Sequence, residues 1–159
     1  MGQIFETVAN FFKEDEWEVF QLEEQTVLQM SFTGENSNWI CYAQARDEDE
    51  QFLFYSVCPV KVPQDMQLAV AEFVARANYG LLIGNFELDF TDGEIRYKTS
   101  IEVQDDRLSS ALIKQLVYTN VLMMDRYLPG IMAVIYAGAS PEQAIAQIEN
   151  QSEGTMNLD

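Results

Sequence analysis

The sequence has no histidine, only nine lysines and arginines, two cysteines and four prolines. Without histidine it lacks the usual general base at neutral pH and the commonest metal ligand, so any catalysis would fall to carboxylates. The shortage of cations leaves 26 acidic residues almost unopposed, for a net charge of −17. Such a surface repels phosphate, which argues against nucleic acid and anionic membrane and favours solubility or a basic partner. Cys41 and Cys58 are too few for a disulfide framework and read as reduced thiols on neighbouring strands of a cytoplasmic protein. The opening residues MGQIFETVANFF carry no basic segment. Glu6 stands where a secretory signal is apolar and where a myristoylation site wants Ser or Thr.

What is present suits a packed core. Hydrophobic residues make up 48% of 159, which excludes wholesale disorder and is enough for one domain over residues 1–151, with 152–159 as a frayed tail. The centre of the pattern is Leu82 to Val103. Asp92-Gly93 lies between two alternating runs, the strongest short-range hairpin signal. A two-residue loop there sets Phe90 against Ile95, Leu88 against Tyr97 and Phe86 against Thr99 on an apolar face. Asp89 then meets Arg96, Glu87 meets Lys98, and Asn85 meets Ser100 on the other.

Ahead of the hairpin, Ile4, Phe5, Val8, Phe11 and Phe12 recur at helical spacing over residues 3–14. Residues 17–22 suggest a short strand. Val27 to Thr33, Trp39 to Ala45 and Gln51 to Cys58 alternate as a three-strand meander, with turn chemistry in GENSN and an acidic loop at 47–50. That loop sets Ala45 opposite Phe52 and Ala43 opposite Phe54, small against large. Pro63 and Asp65 open a helix whose inner stripe is Met66, Ala69, Val70, Phe73, Val74 and Ala77, ended near Gly80. After the hairpin, Asp105 and Asp106 offer a cap, and residues 108–137 read as one long helix that Pro129-Gly130 should kink or break. Asp125 and Arg126 interrupt its apolar run, so it is no membrane span. Ser140-Pro141-Glu142-Gln143 is a capping box ahead of a short last helix.

No stretch spells out a reaction, and no cofactor or metal site is implied. The acidic loop lacks calcium-loop spacing. The carboxylates of Glu87 and Asp89 are explained by the cations opposite them, and the glycines do not form a phosphate loop. The sharper feature is the long helix, whose apolar residues go round the cylinder, so that it is buried on more than one side. A sheet covers one side only. Tyr118, Val121, Leu122, Met123, Met124, Tyr127, Leu128 and Met132 are therefore the candidate surface for a protein partner or a second copy of the chain. The alternative is a small-ligand site or carboxylate-based enzyme, with Asn120, Asp125 and Arg126 as polar anchors of a pocket between helix and sheet.

Several segments carry a resemblance: Tyr55-Ser56 before Pro59, Val62-Pro63, Asn78, Gly84-Asn85-Phe86-Glu87-Leu88-Asp89, Gly93-Glu94-Ile95-Arg96-Tyr97, and NVLMMDRYLPGIMAVIYAG leading into SPEQAIAQIE. Together they resemble the YbjN family, whose domain is similar to the type III secretion chaperones; the last two are similar to its cyanobacterial branch. The resemblance implies an α+β fold in two layers, one antiparallel sheet against helices, in the order α-β-β-β-α-β-β-α plus a short C-terminal helix. It also implies a non-enzymatic, regulatory or chaperone-like role, often as a homodimer, with no catalytic residues to carry over.

Overall fold

Small residues facing large ones fix the centre of the sheet. In the computed structural model, which describes residues 2–156 and their side chains as far as Gln151, Ala45 pairs with Phe52 and Ala43 with Phe54, as the meander requires. The strands are β1 (Phe20–Gln21), β2 (Val27–Thr33), β3 (Asn38–Arg46), β4 (Gln51–Val57), β5 (Asn85–Leu88) and β6 (Ile95–Glu102). They form one antiparallel sheet in the order β1-β2-β3-β4-β6-β5. The short strand suggested over residues 17–22 contracts to the two residues of β1. The helices are α1 (Gln3–Glu14), α2 (Gln67–Asn78), α3 (Ser110–Tyr136) and α4 (Pro141–Met156). They pack on the face that carries Met30, Trp39, Phe52, Phe54, Ile95 and Tyr97, giving the two-layer α+β architecture expected. Of the tail, residues 157–159 lie outside the described residues.

The central hairpin has the expected faces in a different register. Phe86 pairs with Tyr97 and Leu88 with Ile95, two residues away from the pairing that a two-residue loop would impose. The loop is longer because Asp89 organises it. Its carbonyl accepts the Gly93 N–H at 2.8 Å, its N–H donates to the Glu94 carbonyl at 2.9 Å, and its carboxylate accepts the Thr91 N–H at 2.8 Å. Gly93 has φ +80° and meets the Val62 carbonyl so closely that a Cβ would not fit. Since the shift is by two residues, parity is kept and the apolar face stays inward. Phe90 is expelled to the exposed tip, and Glu87 takes both Arg96 and Lys98 while Asp89 meets neither.

β5 lies at the rim of the sheet, and Asn78 at the end of α2 covers it. The Asn78 amide donates to the Phe86 carbonyl at 3.0 Å and accepts the Phe86 N–H at 2.7 Å, the pair of bonds a further strand would make.

α3 is capped by Ser109, whose Oγ accepts the Leu112 N–H at 3.2 Å, rather than by Asp105 or Asp106. It also runs on through Pro129-Gly130, where a kink or a break was expected, without a break. A proline at position 129 leaves the Asp125 carbonyl without its helical donor, and the Asn36 side chain supplies one at 2.9 Å. Gly130 lets Phe73 of α2 and Ile148 of α4 press against the helix backbone. The capping box at α4 forms in both directions, each bond 3.1 Å.

α3 lies on β4 and β6 and also touches α1, α2 and α4. Most of its apolar circumference, Leu122 and Tyr136 excepted, is thereby covered within the chain, which corrects the inference that a sheet alone would leave one side in need of company. The last helix, expected to be short, runs for 16 residues and provides much of that cover.

Candidate functional site: a hollow beside the long helix

Val121, Met124, Tyr127 and Leu128, four of the eight predicted surface residues, are sealed in the core at 2% exposure or less. They are not available to a partner. Tyr118, Met123 and Met132 are half-buried, and only Leu122 stands clear, at 55%. The Tyr118 hydroxyl donates to Asp15 at 2.6 Å, and its ring lies edge-on to Trp17. That bond outweighs the opposing effect of burial and, helped by the Trp17 indole N–H and the charge of Lys114, holds the Asp15 carboxyl below its ordinary range.

The predicted polar anchors separate. Asn120 is wholly buried under the sheet, where its amide donates to the carbonyls of Phe54 (2.8 Å) and Tyr97 (3.0 Å) and to Thr99 Oγ1 (3.2 Å). It ties α3 to β4 and β6 and lines no pocket, so its expected place in a pocket is corrected to one in the core. Asp125 and Arg126 do come together, in a surface hollow of about 730 Å³ between α3, α4 and the turn joining β2 to β3. Its walls include Phe32, Leu122, Pro129 and Ile148.

Asp125 builds one wall rather than offering a free carboxylate. Its two oxygens accept the backbone N–H groups of Glu35 (2.9 Å) and Asn36 (3.0 Å), ending the turn that the sequence GENSN announces. Gly34 passes so close that a Cβ would lie 2.5 Å from an Asp125 oxygen. Arg126 rests 5.1 Å from the Tyr127 ring centroid and makes no ion pair among the described residues. Sequence reasoning named Leu122, Asp125 and Arg126 but missed Phe32, Pro129 and Ile148; a proline in mid-helix and a turn rich in Gly and Asn were the available signals.

Burial raises the Glu87 carboxyl, but hydrogen bonds from Arg96 (2.7 Å) and Lys98 (3.2 Å) outweigh it and hold the group below its usual range. Burial pushes the Cys41 thiol up to about 12 and Cys58 to about 11. Among the described residues no group of His, Cys, Asp and Glu is placed to hold a metal ion, and no helix is long and apolar enough to cross a membrane.

A family model, YbjN, described as "putative bacterial sensory transduction regulator", matches residues 5–133. The chain belongs to the YbjN family. Among solved structures, YbjN from E. coli superposes with a TM-score of 0.61 at 14% identity, covering 82% of this chain and 87% of that one. A chain of the ExsC–ExsE complex gives 0.51 at 12% identity, over 81% and 96%. A looser likeness, 0.48 at 11% identity over 75% and 94%, is to the Yersinia pestis type III secretion chaperone SycH bound to a fragment of YscM2. No curated protein matches. The fold is thus that of YbjN. The YbjN match stops within α3, so the α4 wall of the hollow lies beyond it.

Proposed function

We propose that this YbjN-family chain is a non-enzymatic protein-binding module that works as a cytoplasmic homodimer and takes a segment of a partner protein into the hollow beside α3. The observation that carries the reading is the pairing of exposed Leu122 with Arg126 in one hollow floored by Phe32, Pro129 and Ile148. An apolar side chain of the partner would rest on Leu122 and Pro129, and a neighbouring carboxylate would meet Arg126, which makes no ion pair among the described residues of a chain of charge −17. The alternative of a small-ligand pocket or carboxylate enzyme loses its anchors. Asn120 is under the sheet, Asp125 is spent on two backbone amides, and Glu87 is held ionised by Arg96 and Lys98.

Peptide-library panning against the chain tests this. Selected peptides should carry an acidic residue beside an apolar one, and Leu122→Glu should weaken them at least tenfold while leaving the melting curve unchanged. No selected peptide, or peptides indifferent to both Leu122→Glu and Arg126→Ala, would refute it.

A further inference from the structure

The helices cover one face of the sheet; among the described residues the other is bare, and its composition differs from the rest of the molecule. The strand pairings place Phe20, Val27, Ile40, Tyr42, Leu53, Tyr55 and Val57 on that face. Neutral polar residues, Gln29, Ser31, Gln44, Ser100 and Asn85 among them, surround these. Its charged strand residues are Arg46, Arg96 and Lys98 against Glu87 and Glu102, so 3 − 2 = +1, and everything else in the chain sums to −17 − 1 = −18. These charges are also partly satisfied in place. Glu87 bonds both Arg96 and Lys98, and the Arg96 guanidinium lies 4.3 Å from the Tyr55 ring centroid.

We infer that this bare face of the sheet is where a second copy of the chain docks, sheet against sheet. The inference rests on the reading of the chain as a homodimer and adds the surface. Two bodies of charge −17 repel wherever their acidic surfaces meet, whereas two nearly neutral faces approach without that cost. A basic partner would be drawn to the acidic remainder rather than here. A sheet face with an apolar strip is complementary to a second copy of itself, and two such sheets pack about 10 Å apart. Four strands about 4.8 Å apart and about six residues long give a plane of roughly 400 Å², and its side chains raise the accessible area to on the order of 500 Å² per copy. About 1,000 Å² in the pair is the lower bound for a specific interface, so the dimer should be reversible, with a dissociation constant in the tens of micromolar.

Sedimentation equilibrium from 5 µM to 1 mM reads this out, with Tyr42→Glu on the bare face and Leu122→Glu on the hollow. The expected result is a wild-type dimer whose dissociation constant rises at least tenfold in Tyr42→Glu and is unchanged in Leu122→Glu. A second measurement needs no variant: on dilution of the wild-type chain, the methyl signals of Ile40, Leu53 and Val57 should shift and that of Leu122 should not. A dimer that survives Tyr42→Glu, or whose dilution shifts sit at Leu122, overturns this surface and leaves the homodimer standing. A wild-type chain that stays monomeric at 1 mM overturns both.

Discussion

Removing the Asp125 carboxylate should loosen a turn 90 residues away in sequence. Its oxygens hold the N–H groups of Glu35 and Asn36, while its carbonyl holds the Asn36 side chain. Asp125→Ala deletes two hydrogen bonds to a charged acceptor, each worth about 1.5–3 kcal/mol, and leaves two donors beside the helix. The turn borders solvent, so water can reach part of it, and the net cost should be about 2–4 kcal/mol. In a chain this size that is a fall in Tm of roughly 5–12 °C. Asn36→Ala removes the side-chain amide, with its bond to the Asp125 carbonyl and a longer one to the carboxylate at 3.4 Å, leaves the carbonyl without a donor, and should cost about 1 kcal/mol. Urea unfolding of the three proteins measures the difference, and hydrogen exchange locates it, since the Glu35 and Asn36 amides should lose protection only in Asp125→Ala. If Asp125→Ala costs no more than Asn36→Ala, or those amides already exchange freely in the wild type, the turn is not held by the carboxylate and the wall of the hollow has another origin.

Tyr118→Phe should raise the pKa of Asp15 and cost about 0.5–1 kcal/mol at pH 7, at the low end because Asp15 is partly exposed. The folded-state pKa of Asp15 is depressed, so this contribution is complete above its unfolded value and disappears as the pH falls through the folded one. Wild type and variant should therefore converge in stability toward pH 3, which acid titration by NMR and urea curves will check. Asn120→Asp should cost about 4 kcal/mol or more at pH 7, because a carboxylate would face the carbonyls of Phe54 and Tyr97 in the dry interior, with the deficit shrinking in acid. Cys41 and Cys58 should react with a disulfide reagent at pH 8 at least 100-fold more slowly in the native chain than in urea, burial having pushed both thiols well above that pH. Pro129→Ala should stabilise α3 by about 1 kcal/mol, less than the ~3 kcal/mol usual for a mid-helix proline, since Asn36 already serves the carbonyl that the new N–H would reach.

The meander was readable because Ala43 and Ala45 against Phe54 and Phe52 admit one register, and a four-residue loop agrees with it. The central hairpin was readable in its faces and not in its pairing. Asp92-Gly93 announces a turn, but the bonds that lengthen it come from Asp89 and from the Val62 backbone 31 residues earlier, which no local pattern shows. For α3, the apolar circumference was visible and its cover was not, because the reach of α4 and its packing against α2 and α3 are tertiary facts. The same limit applied to the hollow. Leu122, Asp125 and Arg126 share a helix and can be named from spacing, whereas Phe32 and Ile148 arrive from strand and helix far off in the chain. Polar residues were the hardest to place. Asn120 and Asp125 read as anchors for a ligand and instead bind the chain's own backbone, a use that leaves no mark on composition or periodicity.

The side-chain amide of Asn78 on the backbone of Phe86 has a consequence for how this molecule behaves in a crowd. An open sheet can grow by recruiting strands at either margin, and the result is a fibre or an aggregate. Here one margin has the N–H and C=O of Phe86, in the middle of its four-residue strand, answered by the chain itself, and the other ends in a strand only two residues long. Stray strands therefore find little to grip at either margin of the sheet.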